Sequence, residues 1–230
     1  VTLLQSELGY EYLGNWEEAY RIQPIEETIL LNFLMNKQGY SQSLAEKALD
    51  ELVKAATSLP NGLYETNKNC YSLLRYGIPV RESLGEAKET VWLIDWKNPE
   101  NNHFSFAEEV TFIGKHTKRP DLVFYVNGIA VGVLELKRSK VGVSKGIHQN
   151  LFNQKADAIP KLFTTMQLVL AGNDTQGLRY GTIETPEKYY LQWKEASDKV
   201  SDYTMELHLT QIMNKERLLE LIPDFVIFDK

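Results

Sequence analysis

Cysteine is almost missing from this sequence: Cys70 is the only one among 230 residues. An intrachain disulfide and a zinc site of clustered thiolates are therefore excluded, and a reducing, cytoplasmic setting is the expected one. The four histidines, His103, His116, His148 and His208, show no ligand spacing such as i, i+4 on one helix. No run approaches 18 apolar residues, and no basic segment followed by an apolar one opens the chain, so neither a membrane span nor a signal peptide is expected. Internal repeats, low-complexity linkers and a G-x-x-x-x-G-K-[ST] loop are all lacking, and without that loop ATP chemistry is not placed in these residues. Excess positive charge is lacking too. A net charge of −6 argues, taken whole, against a protein that holds phosphates by bulk charge.

What is present is apolar material for one large core: 43% of residues are hydrophobic and 24% charged. Up to about residue 60 the pattern is helical. Ile25, Ile29 and Phe33, then Leu44, Leu49, Leu52, Val53 and Ala56, recur at helical intervals, with Ser41 or Ser43 as cap, and Pro60-Asn61-Gly62 reads as a turn. From about residue 90 the period shortens. Residues 91–96, 104–113, 121–126 and 129–136 read as strands, and Asn127-Gly128 between the last two is a hairpin signal, since both residues tolerate positive φ. A meander over 91–136 should be followed by a helix over 144–158, strands over 166–171 and 178–183, and helices near 187–197 and 204–221. The class is mixed α/β. The start at Val1 rather than Met, and the apolar run 225–228 cut off two residues later, suggest a piece of a longer polypeptide.

The chemistry concentrates at the open end of the hairpin. Pro120-Asp121 opens one strand, and Glu135-Leu136-Lys137 closes the other, 14 residues after Asp121. Alternation places Glu135 and Lys137 on one face, and counting outward from the turn pairs residues near 120 with residues near 135. Two carboxylates side by side are costly without a cation. A hard divalent ion, Mg²⁺ or Mn²⁺, relieves that cost, the Leu136 carbonyl lies between the two side chains as another ligand oxygen, and Lys137 could orient a water that attacks phosphorus. Glu86-Ala87-Lys88 serves as an internal control, having neither a strand nor an upstream Pro-Asp. On the helix that follows, Lys145, Gln149 and Asn153 form a polar stripe opposite Ile147, Leu151 and Phe152, with Gln149 a candidate beside the site.

Arg119-Pro120-Asp121-Leu122-Val123, Val126-Asn127-Gly128-Ile129 and Glu135-Leu136-Lys137 resemble the N-terminal nuclease domain of the motor (R, or HsdR) subunit of type I restriction-modification enzymes. Leu8-Gly9-Tyr10-Glu11-Tyr12, the stretch from Ala171-Gly172-Asn173-Asp174 through Arg179-Tyr180-Gly181, and Trp193-Lys194-Glu195 fit as well, so the resemblance spans the chain. It implies a restriction-endonuclease-like PD-(D/E)xK fold: a mixed central sheet flanked by helices, with a helical N-terminal portion. It also implies one endonuclease domain over 1–230, with a helical insertion at about 25–60, a catalytic core at about 90–183, and C-terminal helices at 187–222 leading to a motor region. Asp121 and Glu135 would be metal ligands with Leu136, Lys137 the catalytic lysine, and Gln149 a further site residue. The family's Gln-x-x-x-Tyr pattern meets Asn153 where tyrosine is usual. The acid of the family's first helix would precede residue 1, and Glu7 is not taken for it. The implied cofactor is Mg²⁺, with Mn²⁺ able to replace it, and ATP belongs to the absent motor domains. The implied partners are double-stranded DNA, the methyltransferase (M) and specificity (S) subunits, and the chain's own C-terminal motor, with no membrane.

Two rival readings stay open: a non-catalytic module that holds DNA and couples to the motor, and a PD-(D/E)xK repair or junction nuclease. Tyr180, Tyr189, Tyr190 and Trp193 could stack on bases, though packing is the plainer reading. Trp92, Trp96 and Phe104 read as core, and the Gly172-Asn173-Asp174-Thr175 turn could offer backbone amides to phosphate. The acidic total also hides an asymmetry. Residues 115–155 hold eight basic side chains, Lys115, Lys118, Arg119, Lys137, Arg138, Lys140, Lys145 and Lys155, against only Asp121 and Glu135. A basic window around an acidic pair suits a phosphodiester substrate.

Overall fold

Asn127 and Gly128 make the predicted turn, with φ of 51° and 80°. The turn sits within a computed structural model that describes residues 1–194 and 204–228. The chain runs α1 (Thr2–Ser6), β1 (Glu11–Asn15), α2 (Glu27–Asn32), a π-helical turn (Phe33–Lys37), α3 (Gln42–Thr57), α4 (Gly62–Tyr76), β2 (Ile78–Val80), β3 (Glu89–Val91), β4 (Phe104–Glu108), β5 (Leu122–Val126), β6 (Ile129–Leu136), α5 (Ser144–Asn153), a 3₁₀ segment (Pro160–Thr164), β7 (Leu168–Asn173), β8 (Gly177–Gly181), β9 (Leu191–Gln192), α6 (Thr204–Ile212) and α7 (Lys215–Phe225). Among the described residues, seven strands form one sheet in the order β1-β4-β5-β6-β7-β8-β9. The pairs β1·β4 and β6·β7 are parallel and the others antiparallel. The carboxyl ends of β1, β4, β6 and β7 consequently share one end of the sheet with the starts of β5 and β8.

Apolar layers cover both faces. Phe106, Phe124, Leu134 and Leu170 point to one layer, where Leu30, Leu52, Leu74 and Ile212 of the helices meet them. Val123, Tyr125, Val133 and Val169 point to the other, under Ile147 of α5 and Leu162 and Phe163 of the 3₁₀ segment. A mixed α/β architecture of this kind, a mixed sheet flanked by helices, is consistent with a restriction-endonuclease-like fold. Helix α3 forms as the periodicity predicts, with the Ser41 hydroxyl accepting from the Leu44 N–H at 3.2 Å. No helix among the described residues is long and apolar enough to cross a membrane.

Several expectations are corrected. Residues 92–96 are not a strand; β3 ends at Val91 and pairs with β2 in a separate ribbon. The backbone beyond it is tied to side chains, because the Asp95 carboxylate accepts from the Lys97 and Asn98 N–H groups and the Leu93 carbonyl accepts from Asn127 Nδ2. Trp92 is exposed rather than core, Trp96 is half-buried with Nε1 on the Leu74 carbonyl, and Phe104 is buried as expected. Strand β4 ends at Glu108, since Glu109 takes a φ of 49°. Ile25 lies before α2 and bridges Ile129. Helix α5 stops at Asn153, five residues early, and the Asn153 carbonyl accepts from the Ile159 N–H. The helix expected at 187–197 is a 3₁₀ turn (Glu187–Tyr189) and then β9, with residues 195–197 outside those described. The single helix expected at 204–221 divides at Asn214, whose side chain caps α7 by accepting from the Arg217 N–H.

The hairpin turn is held from outside. Asn127 is fully buried; its Oδ1 accepts from the His103 N–H at 2.7 Å, and Nδ2 donates to Leu93 O and Asn102 Oδ1. A Cβ on Gly128 would fall 2.6 Å from the Glu26 carbonyl oxygen. Gly128→Ala combines that clash with a left-handed φ, so denaturant unfolding should show a loss of about 2 kcal/mol or more. An unchanged midpoint would contradict this account of the turn.

Candidate active site

Regular pairing outward from Asn127-Gly128 would set Asp121 opposite Leu134, on the face away from Glu135. The strands do otherwise. Val126 pairs with Ile129 and Tyr125 with Ala130, but Phe124 then pairs with Gly132, which leaves Val131 as an extra, bulged residue. Val123↔Val133 and Leu122↔Leu134 follow, and the next step outward sets Asp121 opposite Glu135 on the face that α5 covers. The glycine inside this strand, Gly132, is the sequence signal for the bulge.

Asp121 caps the hairpin's open end, with Oδ2 accepting from the Leu136 N–H at 2.6 Å. The Lys137 N–H donates to the Gly172 carbonyl at 2.9 Å and so holds the residue after β6 against β7. Lys137 Nζ lies 3.0 Å from the Leu136 carbonyl oxygen and 3.4 Å from Glu135 Oε2. Glu135 is completely buried, and its Oε1 has no hydrogen-bond partner. Burial, then the charge of Asp121, push the Glu135 carboxyl up from 4.5 to about 8, and Lys137 only partly opposes them. A Cβ on Gly146 would stand 3.5 Å from Glu135 Cβ and 3.1 Å from Ala171 Cβ, so the missing side chain lets α5 close over the acid. Sequence reasoning missed this residue; its only mark was a lone glycine in the first turn of a helix otherwise built of larger side chains.

The other candidates lie as follows. Gln149, half-buried, comes one helical turn after Gly146. The predicted polar stripe is broken: Asn153 turns inward, 2% exposed with Nδ2 unpartnered, while Phe152 is the exposed residue, its ring facing Lys118 Nζ at 4.8 Å and Lys155 Nζ at 5.7 Å. Helical position 153 falls on the buried side of α5, where the neighbouring Asn150 donates to the Leu170 carbonyl. Glu7 precedes β1, at the opposite end of the sheet from Asp121. Glu86-Ala87-Lys88 is an exposed loop. The amides of Thr175 and Gln176 are taken by Asn173 Oδ1, so the 172–175 turn does not offer them to phosphate. Tyr180 and Trp193 pack edge to face, Tyr190 is buried and Tyr189 exposed, so these rings form no common platform. In the basic window, Lys115 pairs with Asp157 and Arg119 with Glu17 and Glu109, while Arg138, Lys140 and Lys145 are exposed and have no carboxylate partner among the described residues.

Among the described residues no group of three or more His, Cys, Asp or Glu side chains is placed to hold a metal. The oxygens that meet at the hairpin end are those of two carboxylates and of the Leu136 carbonyl, with a buried Glu135 oxygen left over. Hard divalent cations that keep several waters fit such a set. Glu135 also links folding to pH. Its folded value lies above its unfolded one, so both states hold the proton below about pH 4.5, and the folded state loses relative stability as pH rises from there toward 8. In metal-free buffer, Glu135→Gln should therefore be more stable than wild type at pH 8 by on the order of a few kcal/mol, with the difference shrinking toward pH 5. Thermal melts across that range check it; a pH-independent difference would contradict the buried, proton-holding carboxyl.

The model of the family described as "Type I restriction enzyme R protein N terminus" matches residues 1–188. A Methanocaldococcus jannaschii protein described as "Putative type I restriction enzyme MjaVIIIP endonuclease subunit" is 28% identical over 238 residues, covering 98% of this chain and 22% of that protein. The Haemophilus influenzae "Type I restriction enzyme HindI endonuclease subunit" is 31% identical over 201 residues, covering 81% of this chain and 19% of that protein. A second M. jannaschii protein, the "Putative type I restriction enzyme MjaIXP endonuclease subunit", is 27% identical over 253 residues, 98% of this chain and 24% of its own length. The chain thus spans between 19% and 24% of these relatives. It belongs to the family of type I restriction enzyme R protein N-terminal regions.

Proposed function

We propose that this chain is the endonuclease domain of a type I restriction R subunit, and that it hydrolyses phosphodiester bonds of double-stranded DNA at the open end of the β5–β6 hairpin. One observation carries the reading: a bulged hairpin brings Asp121 opposite a fully buried Glu135, with Lys137 on the same face. This is the arrangement the PD-(D/E)xK label describes, and the relatives' names support a nuclease role. Asp121, Glu135 and the Leu136 carbonyl would hold Mg²⁺, or Mn²⁺ in its place. When bound, such an ion neutralises the paired carboxylates and lowers the pKa of a coordinated water toward neutrality.

The chain's own groups account for the rest. Lys137, already placed between Glu135 Oε2 and the Leu136 carbonyl, orients the attacking water and stabilises charge developing on the phosphate. Gln149, half-buried one turn beyond the glycine that abuts Glu135, would hydrogen-bond the same phosphate or water. The exposed Arg138, Lys140 and Lys145 attract the DNA backbone locally against an overall charge of −6. Recognition sequence, methylation and ATP-driven translocation are assigned to the specificity and methyltransferase subunits and to motor domains beyond these residues.

In the complete enzyme, Asp121→Asn and Lys137→Ala should each cut plasmid DNA at least a hundredfold more slowly while ATP-driven translocation continues. Wild-type cleavage by both variants would overturn the assignment. Removing divalent ions with a chelator should stop cleavage by the wild-type enzyme, and Mn²⁺ should restore it. Calorimetric titration should show Mn²⁺ bound by wild type and not by Asp121→Asn.

A further inference from the structure

The row that carries Asp121 and Glu135 continues across the sheet. Glu135 pairs with Ala171 on β7, and Ala171 pairs with Arg179 on β8. Arg179 therefore starts from the same face, two strands and roughly 10 Å from Glu135, with Ala171 and the first turn of α5 packed on it at Gly146 between them. Beside Arg179 lies a polar pocket of about 200 Å³ whose walls include Ser144, Gln176, Glu187 and Tyr190.

Three features of this pocket ask for an anion. Both hydrogen bonds of Arg179 use Nη1, to the carbonyls of Gln176 at 2.9 Å and Leu178 at 3.3 Å, so among the described residues its other N–H groups meet no acceptor. Tyr190 packs over Gly181 and is only 8% exposed, yet among the described residues its hydroxyl has no partner. The pocket also lies at the amino end of α5, where the helix dipole is positive, although the Val143 N–H there is already taken by Gln176 Oε1 at 2.7 Å. The acid on the wall, Glu187, is bonded to His148 Nε2 at 2.5 Å and forms no ion pair with Arg179. A DNA strand approaching Asp121 and Glu135 brings phosphates toward two carboxylates, and a fixed guanidinium in the same row offsets that repulsion for a neighbouring phosphate.

We propose that the Arg179–Tyr190 pocket is a phosphate subsite, in which the guanidinium and the phenol hydroxyl hold a backbone phosphate of the DNA strand that is cut. The proposal rests on the nuclease reading and says how that strand is held beside the carboxylates. Free inorganic phosphate has the same chemistry, so the test must separate the two sources.

The full R subunit, assembled with its partner subunits and carrying Asp121→Asn so that DNA is not consumed, is treated with an arginine-specific glyoxal, and modification of Arg179 is followed by mass spectrometry. Duplex DNA should slow modification at least about fivefold, while inorganic phosphate at the same phosphate concentration should not, a difference expected of bidentate, positioned recognition. No protection, or equal protection by inorganic phosphate, overturns the DNA assignment. In the otherwise wild-type complex, Arg179→Gln should lower cleavage at limiting DNA by on the order of tenfold to a hundredfold, with saturating DNA recovering most of the rate and translocation unaffected. Arg179→Lys should recover part of the loss, and Tyr190→Phe should show a smaller one. Cleavage by Arg179→Gln with the wild-type dependence on DNA concentration overturns the subsite. Cleavage persisting in Asp121→Asn would instead overturn the nuclease reading, and the protection of Arg179, which needs no cleavage, is read separately from it.

Discussion

Burying one carboxylate beside another is the constraint around which this end of the molecule is organised. Glu135 gives up its solvent completely, keeps one oxygen without a partner and faces Asp121 across the β5–β6 ladder. Lys137 offsets part of that cost at 3.4 Å and no more. An arrangement that holds an ionisable carboxyl in a dry place beside a second one persists only where the surroundings over-determine it. Here the surroundings are two apolar layers: β5 and β7 flank Glu135 within the sheet, and α5 seals it from above through the gap left at Gly146.

The hairpin that carries the pair is anchored at both ends by polar side chains rather than by its own ladder alone. At the closed end, Asn127 ties the turn to residues 93, 102 and 103, and the Glu26 N–H donates to the Gly128 carbonyl at 2.7 Å. At the open end, the Asp121 carboxylate takes the Leu136 N–H. Fixing a strand pair at both ends restricts register slippage, which matters because a one-residue slip would exchange the faces of every side chain on β6. The same rigidity carries the row onward to Arg179, so an acid pair and a cation stand at set spacings on one sheet face.

How much of this was legible in the sequence depended on whether the signal was local. Asn127-Gly128 specified its turn, the stripe from Leu44 to Ala56 specified α3, and the acid–lysine triad at the open end was visible from alternation and counting. Features made by side chains reaching across the chain were not visible. Asn127 reads as a turn former, but its side chain also holds a distant loop in a non-strand conformation, so the β-like composition of residues 92–96 does not become a strand. Short strands such as β1 and β9 draw their stability from neighbours rather than from their own propensity. On α5, polarity suggested that Asn153 faces water, whereas a small buried amide and an exposed Phe152 between two lysines reverse that pattern. The bulge at Val131 was the most consequential omission, because the approximate count that paired 120 with 135 reached the right neighbourhood through a ladder that is not regular.

That bulge makes the separation between the two acids degenerate. A hairpin one residue shorter, with no extra residue opposite Phe124, would bring the same two carboxylates face to face through a straight ladder, whereas the present 14-residue separation does so only because Val131 is set aside. Two different motif spacings thus encode one geometry. A single deletion in the first half of β6 can be absorbed by straightening the strand, while a single insertion has no such slack and must create a second irregularity or turn Glu135 into the opposite apolar layer. Tolerance to length change at this hairpin is therefore one-sided, and the direction of that asymmetry is written in the strand that carries the acid.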